Sequence, residues 1–512
     1  MTRLSSAQLD RAVGVLLGSA AGDALGAPYE FHPPRSAAET IAMIGGGTFG
    51  WERGEWTDDT SMGLVLAQVA ASGADLASDE AQDQIANAWY RWAQKAPDVG
   101  AQTRSVLTSA HHAAREELLP LRASHLRAAA EEHHRRSGRS GGNGSLMRTA
   151  AVALAYLHDE DTLFEVAQSL SHLTHYDTEA AEACALWCLA VRHAVLCGSL
   201  NIRRGLSRLS TTRREVWLAR IEAAERTMPA DFEENGWVVE AFQAAWSAIA
   251  HSTLQSGGAA PATDAPTTHA TASDATANDA PAGTFRAQHL ARAIELAARS
   301  GNDTDTIAAI TGGLVGAAYG GSAVPAEWRR LLHGWPGLRE RDLTRLAVLI
   351  TRDGDDSPTN WPNRPHLEYA QPAAADPITA HPYDSDLLLG GFDVLHRLPF
   401  GVDAIVSLCR VGRADIPELI APEDHIEMWV VESDARVENP NLDFVLDDAA
   451  RVIAQLRSEG KRVYLHGIGA GGVATEVAAR YGATLRDVPL AEALTAVVAA
   501  VSRSSTGSIS LL

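Results

Sequence analysis

Three short acidic stretches hold the residue types best able to do chemistry in this chain. Gly22–Phe31 reads GDALGAPYEF and carries Asp23 and Glu30. Trp56–Met62 reads WTDDTSM, with Thr57, Asp58 and Asp59, and Gly301–Thr306 reads GNDTDT, with Asp303, Asp305 and Thr306. Adjacent carboxylates repel one another, so setting them side by side costs free energy. Bound divalent cations remove that cost, and hard cations such as Mg²⁺ and Mn²⁺ take carboxylate, hydroxyl and water oxygens. No Cys or His falls inside these stretches, which disfavours a zinc-type centre there. A plainer reading stands beside this one. Asp and Thr are good helix caps, and the second and third stretches precede apolar helical runs at Met62–Ala67 and Ile307–Ile310. The two roles are compatible, because a helix start presents backbone donors and oriented side chains together.

The elements that must position these residues read as helices. Over Ser6–Gly26, Leu9, Val13, Leu16 and Leu17 recur on one face, and Gly14, Gly18, Ala21 and Gly22 permit close helix approach. Helical runs continue at Ser61–Ser72, Asp79–Lys95, Arg148–Tyr156, Glu179–Leu196, Trp237–His251 and Thr306–Tyr319. Residues 8–345 are therefore expected to form an all-α domain. Within it, Ser256–Gly283 is nearly all Ala, Thr, Asp, Pro, Ser and Gly. It has little to bury and cannot offset its own ordering entropy, so the pattern predicts a disordered insertion at 256–283. A loose, proline-rich stretch follows, and 346–382 is the expected linker. From 383 to 505 the grammar changes. Ala404–Cys409, Glu427–Val431 and Arg462–His466 read as strands, and Asp443–Arg457 and Val473–Tyr481 as helices. Alternating strands and helices predict a small α/β domain with a parallel sheet.

Bulk properties exclude some classes of function. The net charge of −21 over 512 residues opposes unspecific binding to nucleic acid or to anionic membrane. No run of 18 apolar residues appears and Met1–Asp10 has no apolar signal region, so no membrane span is expected. The four cysteines, Cys184, Cys188, Cys197 and Cys409, suggest a reducing compartment and a cytoplasmic protein. Cys184 and Cys188 stand at helical spacing, where core packing is expected over metal binding.

In order along the chain, GDALG, TDDT, GGNGSLMR, SHLTH and GNDTDT resemble the ADP-ribosylglycohydrolase family, over about residues 10 to 335. That resemblance implies an all-α fold with two divalent cations, Mg²⁺ or Mn²⁺, at its centre. Thr57, Asp58, Asp59, Asp303, Asp305 and Thr306 match its metal ligands. Glu30 matches a glutamate beside the metals that gates substrate entry, and Asp58, Asp59 or Glu30 is the carboxylate that would orient or deprotonate the attacking water. Gly142, Asn143, Gly144 and Ser145 match a glycine-rich loop where backbone N–H groups approach phosphate or ribose oxygens. His175 matches a histidine that lines the ligand pocket, whereas His172 is expected to be structural or exposed. Asp23 is expected to order its own turn. Arg148 is expected either to steady the loop or to make an interior salt bridge. The substrate implied is an ADP-ribosylated protein or another ADP-ribosylated compound, cleaved through an oxocarbenium-like state. The alternative from another class is a non-catalytic ADP-ribose-binding or regulatory protein.

The C-terminal region resembles dual-specificity and tyrosine phosphatases at VSLCRVG (406–412), WVVESDARVENPN (429–441) and RVYLHGIGAGGVATEVAARYG (462–482). The working phosphatase loop reads His-Cys, five residues, Arg. Here His466 is followed by Gly467 where the cysteine belongs, and Val473 stands at the arginine position. Without thiolate or guanidinium there is neither nucleophile nor bidentate phosphate clamp. Asp434 sits where a general acid would stand but lacks a nucleophile to serve. The expectation is a multidomain chain, an all-α ADP-ribosylglycohydrolase domain followed by an inactive phosphatase-like α/β domain of unassigned partner.

Overall fold

A computed structural model describes residues 4–252, 285–357, 361–369, 377–431 and 438–507. The expected insertion at 256–283 and Asp434 lie outside the described residues. The N-terminal part is helical: α1 (Ser6–Gly26), α2 (Asp58–Ala71), α3 (Asp79–Ala93), α4 (Ala101–Glu116), α5 (Ala123–Ser137), α6 (Ala150–Ala155), α7 (Glu160–Ser171), α8 (Thr178–Cys197), α9 (Thr211–Ala224), α10 (Val238–His251), α11 (Gln288–Ala298), α12 (Thr304–Tyr319), α13 (Ala326–Arg329) and α14 (Glu340–Ile350). The short strands β1 (His333–Gly334) and β2 (Leu338–Arg339) form a hairpin just before α14.

The closest packing in the molecule joins α1 to α12. Ser5 starts α1 with a reciprocal cap, its hydroxyl accepting from the Gln8 N–H while the Gln8 side chain accepts from the Ser5 N–H. Along α1, a glycine then falls every fourth residue, on one face. A Cβ at Gly14 would lie 2.2 Å from the Gly316 carbonyl oxygen, one at Gly18 2.3 Å from that of Gly312, and one at Gly22 2.0 Å from that of Ala308. At Gly26 it would meet the Asp305 Cα at 2.5 Å. The two helices therefore run antiparallel with their backbones touching. This brings the end of α1, with Asp23 and Glu30 near it, against the start of α12, with Asp303 and Asp305.

α8 runs through the middle of the domain, and Cys184 through Val191 are all buried. By length and hydropathy it would suffice to cross a bilayer, which differs from the expectation that no such run exists. It packs instead against α7, α12, α10 and α6 as a core helix. Cys184 and Cys188 sit in this core beside Ser145 and Thr149, without further Cys or His around them to complete a metal set among the described residues.

The C-terminal part is a five-stranded sheet of β3 (Thr379–His381), β4 (Asp384–Gly390), β5 (Ala404–Ser407), β6 (His425–Glu427) and β7 (Val463–His466), with α15 (Leu442–Ser458), α16 (Val473–Arg486) and α17 (Leu490–Gly507). The spatial order is β3-β4-β7-β5-β6, with β3 antiparallel and the rest parallel. The run Glu427–Val431 contributes only its first residue to a strand, contrary to the sequence reading. After Glu427 pairs with Ser407 the chain leaves the sheet, and Trp429 turns to pack edge-on against Trp361. The stretch expected as linker is structured at both ends, since residues 346–350 complete α14 and β3 begins at Thr379.

The two parts share a firm interface. Arg330, nearly buried, makes a two-pronged ion pair with Glu459 at 2.7 and 2.9 Å. The Ala326 N–H donates to Asp448 at 2.8 Å, and the Asn441 amide donates to the Tyr319 carbonyl at 2.6 Å and to the Ser322 hydroxyl at 2.8 Å. Only the arginine of this pair is buried, Glu459 standing a third exposed, so it is the bidentate geometry that makes the contact more demanding than a one-point surface pair.

Candidate active site

The two acidic helix starts do not use their own side chains as caps. Thr57 stands at the cap position of α2 and Asp303 at that of α12, and neither side chain caps its helix. The N–H groups of Thr57 and Thr60 are taken instead by Asp23, 34 and 37 residues earlier, at 2.9–3.1 Å. Asp23 thus orders the Thr57–Asp59 turn rather than its own, which corrects the sequence reading. Freed from capping, the Thr57 hydroxyl donates to Asp59 Oδ2 at 3.2 Å, and the Thr306 hydroxyl donates to the same oxygen at 3.3 Å.

Carboxylate oxygens of Asp23, Asp59 and Asp305 lie within 4.8 Å of one another, as do those of Glu30, Asp303 and Asp305. Asp305 belongs to both groups, so the motifs around residues 23–30, 57–59 and 303–306 meet in one place. Thr304 locks the junction by donating to the Gly26 carbonyl at 3.0 Å. Glu30 is carried to Asp303 by a strained pairing. Phe31 (φ 62°) donates to the Asn302 carbonyl at 2.6 Å, and Asn302 (φ 58°) donates back to that of His32 at 2.9 Å. Non-glycine residues at positive φ are uncommon and gather at functional sites.

Burial and mutual repulsion dominate the electrostatics. Asp58, Asp59 and Asp305 are pushed well above the ordinary carboxylate range, first by burial and then by neighbouring carboxylates. Glu30 rises to about 8 by burial and by the charges of Asp303, Asp98 and Asp23. Asp23 rises to about 6 through burial, against the lowering pull of its Thr57 and Thr60 donors. Asp59 Oδ1 is buried with no hydrogen-bond partner among the described residues. A buried, unpaired oxygen amid crowded carboxylates and hydroxyls is the donor set a hard divalent cation needs. The residues present fit such ions.

In the cation-free protein, the folded-state values of Asp23 and Glu30 lie above those of an unfolded chain. Their contribution to stability is therefore full at low pH and is lost as pH rises through about 6 and then about 8. With EDTA, the unfolding temperature should fall between about pH 5 and pH 8.5. Added Mg²⁺ or Mn²⁺ should raise it more at the upper pH, where fewer protons compete. Glu30→Gln should flatten the EDTA profile. A cation increment that does not vary with pH would contradict this.

The glycine-rich loop closes another side. Asn143 is buried and donates through its amide to Asp303 Oδ2 at 2.7 Å and to the Asn235 carbonyl at 2.9 Å. Asn235 in turn accepts from the Asp303 N–H at 3.1 Å and donates to the Gly301 carbonyl at 2.9 Å. The His175 ring lies against the loop, where a Cβ at Gly142 would come within 3.3 Å and one at Gly144 within 3.1 Å of it. Burial beside Arg148 holds His175 well below the usual histidine range, so it is neutral, and Thr174 bonds its Nδ1 at 2.8 Å. Ser145 is turned away into the core, accepting from Ser171 at 2.9 Å. His172 is half-buried beside Tyr176. Arg148 makes no salt bridge among the described residues. Its guanidinium stacks 4.1 Å from the Trp89 ring and donates to the Thr174 hydroxyl at 2.7 Å, tying the loop to the His175 turn.

Two site residues escaped the sequence reading. Asp98 accepts from the Asp58 N–H at 2.8 Å and is itself raised to about 6, chiefly by burial. Asn235 joins the loop to Asp303. Its only sequence signal is the Asn-Gly turn dipeptide it forms with Gly236.

A family model described as ADP-ribosylglycohydrolase matches residues 4–358. The ADP-ribosylarginine hydrolase Tri1 of Pseudomonas putida (strain GB-1) is 28% identical over 325 residues, 62% of this chain and 73% of that protein. The ADP-ribosylhydrolase ARH3 of Homo sapiens is 27% identical over 351 residues, 64% of this chain and 90% of that protein. The ADP-ribosyl-dinitrogen reductase glycohydrolase of Rhodospirillum rubrum is 30% identical over 192 residues, 36% of this chain and 58% of that protein.

Proposed function

The chain belongs to the ADP-ribosylglycohydrolase family through residues 4–358, and from that premise we propose that it hydrolyses the bond joining ADP-ribose to a modified acceptor, arginine first among them. The observation that carries the reading is the meeting of the 57–59 and 303–306 motifs around an unpaired Asp59 oxygen, beside the glycine-rich loop. Thr57, Asp58, Asp59, Asp303, Asp305 and Thr306 would hold two divalent cations, Mg²⁺ or Mn²⁺. Such ions would neutralise the carboxylates, bind ribose hydroxyls and make a water more acidic.

The chain's own residues supply the rest. Glu30 stands at the half-exposed edge of the acidic cluster, where its carboxyl can hold or accept a proton near neutral pH. The remaining carboxylates face a developing positive charge at the anomeric carbon and stabilise it. Neutral His175 and the bare backbone of Gly142 and Gly144 offer a close-fitting wall for an anionic, hydroxyl-rich ligand without adding charge. The names of two relatives support arginine as acceptor or ADP-ribose as the group released.

The test is release of free ADP-ribose from arginine-linked and serine-linked substrates in Mg²⁺ or Mn²⁺. Release from the arginine-linked substrate is expected. His175→Ala should raise KM more than it lowers kcat, because the ring shapes the pocket wall. Tight ADP-ribose binding with no release from either linkage would favour a binding protein and refute the hydrolase.

We propose that the C-terminal domain is catalytically silent as a phosphatase. Two observations support this. His466 is buried and spent on the Ser407 hydroxyl at 2.7 Å, and the strand–turn–helix from β7 to α16 carries Gly467 and Val473 where a nucleophile and a phosphate clamp would stand.

A further inference from the structure

Apart from the acidic centre, one group of metal-binding side chains converges among the described residues. His366, His396 and Asp415 place a ring nitrogen or carboxylate oxygen each within 4.8 Å of the others. They come from three separate segments. His366 precedes β3, His396 lies in the turn Phe392–Arg397 just after β4, and Asp415 lies beyond β5. β4 and β5 are parallel strands on either side of β7, so the cluster sits at their carboxyl ends, where open α/β sheets bind ligands.

The carboxylate is fixed and the imidazoles are free to adjust. Asp415 is fully buried, and its Oδ2 accepts from the Gly412 N–H at 2.6 Å and the Leu367 N–H at 3.0 Å. Outer hydrogen bonds of this kind hold a ligating carboxylate in place. Its Oδ1 is left for His366 Nδ1, 2.9 Å away. Bonds of 2.0–2.1 Å in a tetrahedral zinc site set neighbouring ligand atoms about 3.3 Å apart. A cation in place of the shared proton therefore needs only a small shift of the exposed His366 ring. The hydrogen bond to Asp415 involves His366 alone, and His396 is an exposed ring that also packs edge-on toward Phe392 at 6.5 Å. The His396 ring stands 5.8 Å from that of His366, and its nitrogens have no hydrogen-bond partner among the described residues.

We propose that His366, His396 and Asp415 form a second metal site, for a borderline divalent cation of the zinc class. Two imidazoles and one carboxylate suit Zn²⁺, whereas the all-oxygen acidic centre suits Mg²⁺ or Mn²⁺. Three protein ligands leave one position open to solvent.

Zinc titration of the full chain against a chromogenic chelator, with excess Mg²⁺ present, tests the proposal. The wild type should hold one tight Zn²⁺. His366→Ala combined with His396→Ala should weaken it beyond the roughly 100-fold expected for loss of an outer-shell partner. Both histidines lie far from the acidic centre in sequence and on the C-terminal sheet, so the double variant should keep its Mg²⁺-dependent ADP-ribose release. His396→Ala alone, which breaks no hydrogen bond among the described residues, should weaken the Zn²⁺ while keeping the unfolding temperature. Asp59→Asn should leave the tight Zn²⁺ in place. Zinc binding unchanged in the double-histidine variant, lost in Asp59→Asn, or absent from the wild type would each overturn the site.

Discussion

Asp59→Asn is expected to lower ADP-ribose release by about a thousandfold or more while raising the unfolding temperature of the cation-free protein. The two effects share one cause. Asp59 is buried among Asp23, Asp58 and Asp303, and its carboxyl is held well above the ordinary range. In EDTA near neutral pH, folding must either protonate Asp59 or bury a repelled charge, and both cost free energy. An asparagine accepts the Thr57 and Thr306 hydroxyls through its oxygen, as Oδ2 does now. Its amide would then occupy the position of the unpaired Oδ1 and donate towards the surrounding carboxylates. The same swap removes an anionic ligand and weakens cation binding. Release measured with Mn²⁺, beside thermal unfolding in EDTA, checks both halves. A variant that loses activity and stability together would show a collapsed fold rather than a lost ligand.

The second large effect belongs to the crossing of α1 and α12. Gly18→Val should destabilise the protein by about 3 kcal/mol or more, at or beyond the usual range for overpacking. The clash is with backbone. A Cβ at Gly18 lies 2.3 Å from the Gly312 carbonyl oxygen, and a carbonyl in the middle of a helix has no rotamer through which to yield. The helices would have to part, carrying Asp23 and Gly26 away from Asp305. Soluble yield and denaturant midpoint should both fall, and any folded remainder should bind cations weakly. Gly46→Ala is the control. Its added Cβ meets nothing within 4 Å, but φ is +89°, so a smaller loss is expected from backbone strain alone. Equal losses at the two positions would contradict the packing argument.

The helical domain and its acidic motifs were legible in the sequence because their signals are local. Threonine and aspartate gather at helix starts, and small residues recur on one face of α1. The partner of that face was not legible. Gly312 and Gly316 read as ordinary members of an apolar helix, and only the fold shows them opposite Gly18 and Gly14. The role of Asp23 is hidden for the same reason, since its donors lie 34 and 37 residues away, beyond any local signal. Asp98 and Asn235 are single polar residues in loops, with no cluster to mark them. α4 hid behind its His- and Arg-rich surface, although Val106, Leu107, Ala110 and Ala114 follow helical spacing. In the C-terminal part, the run at 427–431 misled because a short apolar run suits both a strand and a loop packed on aromatics. The pairing of β6 with β5 stops at Glu427, a limit set by the neighbouring strand rather than by composition.

The most direct test of the central claim, that two distant acidic motifs form one cation centre, is the number of Mn²⁺ ions bound per chain by electron paramagnetic resonance. The measurement compares wild type with Asp59→Asn and Asp305→Asn. Two tight, magnetically coupled ions in the wild type are expected, with the coupling lost in either variant, because each removes a ligand from the shared cluster. Two independent ions, or binding that survives both substitutions, would contradict the account.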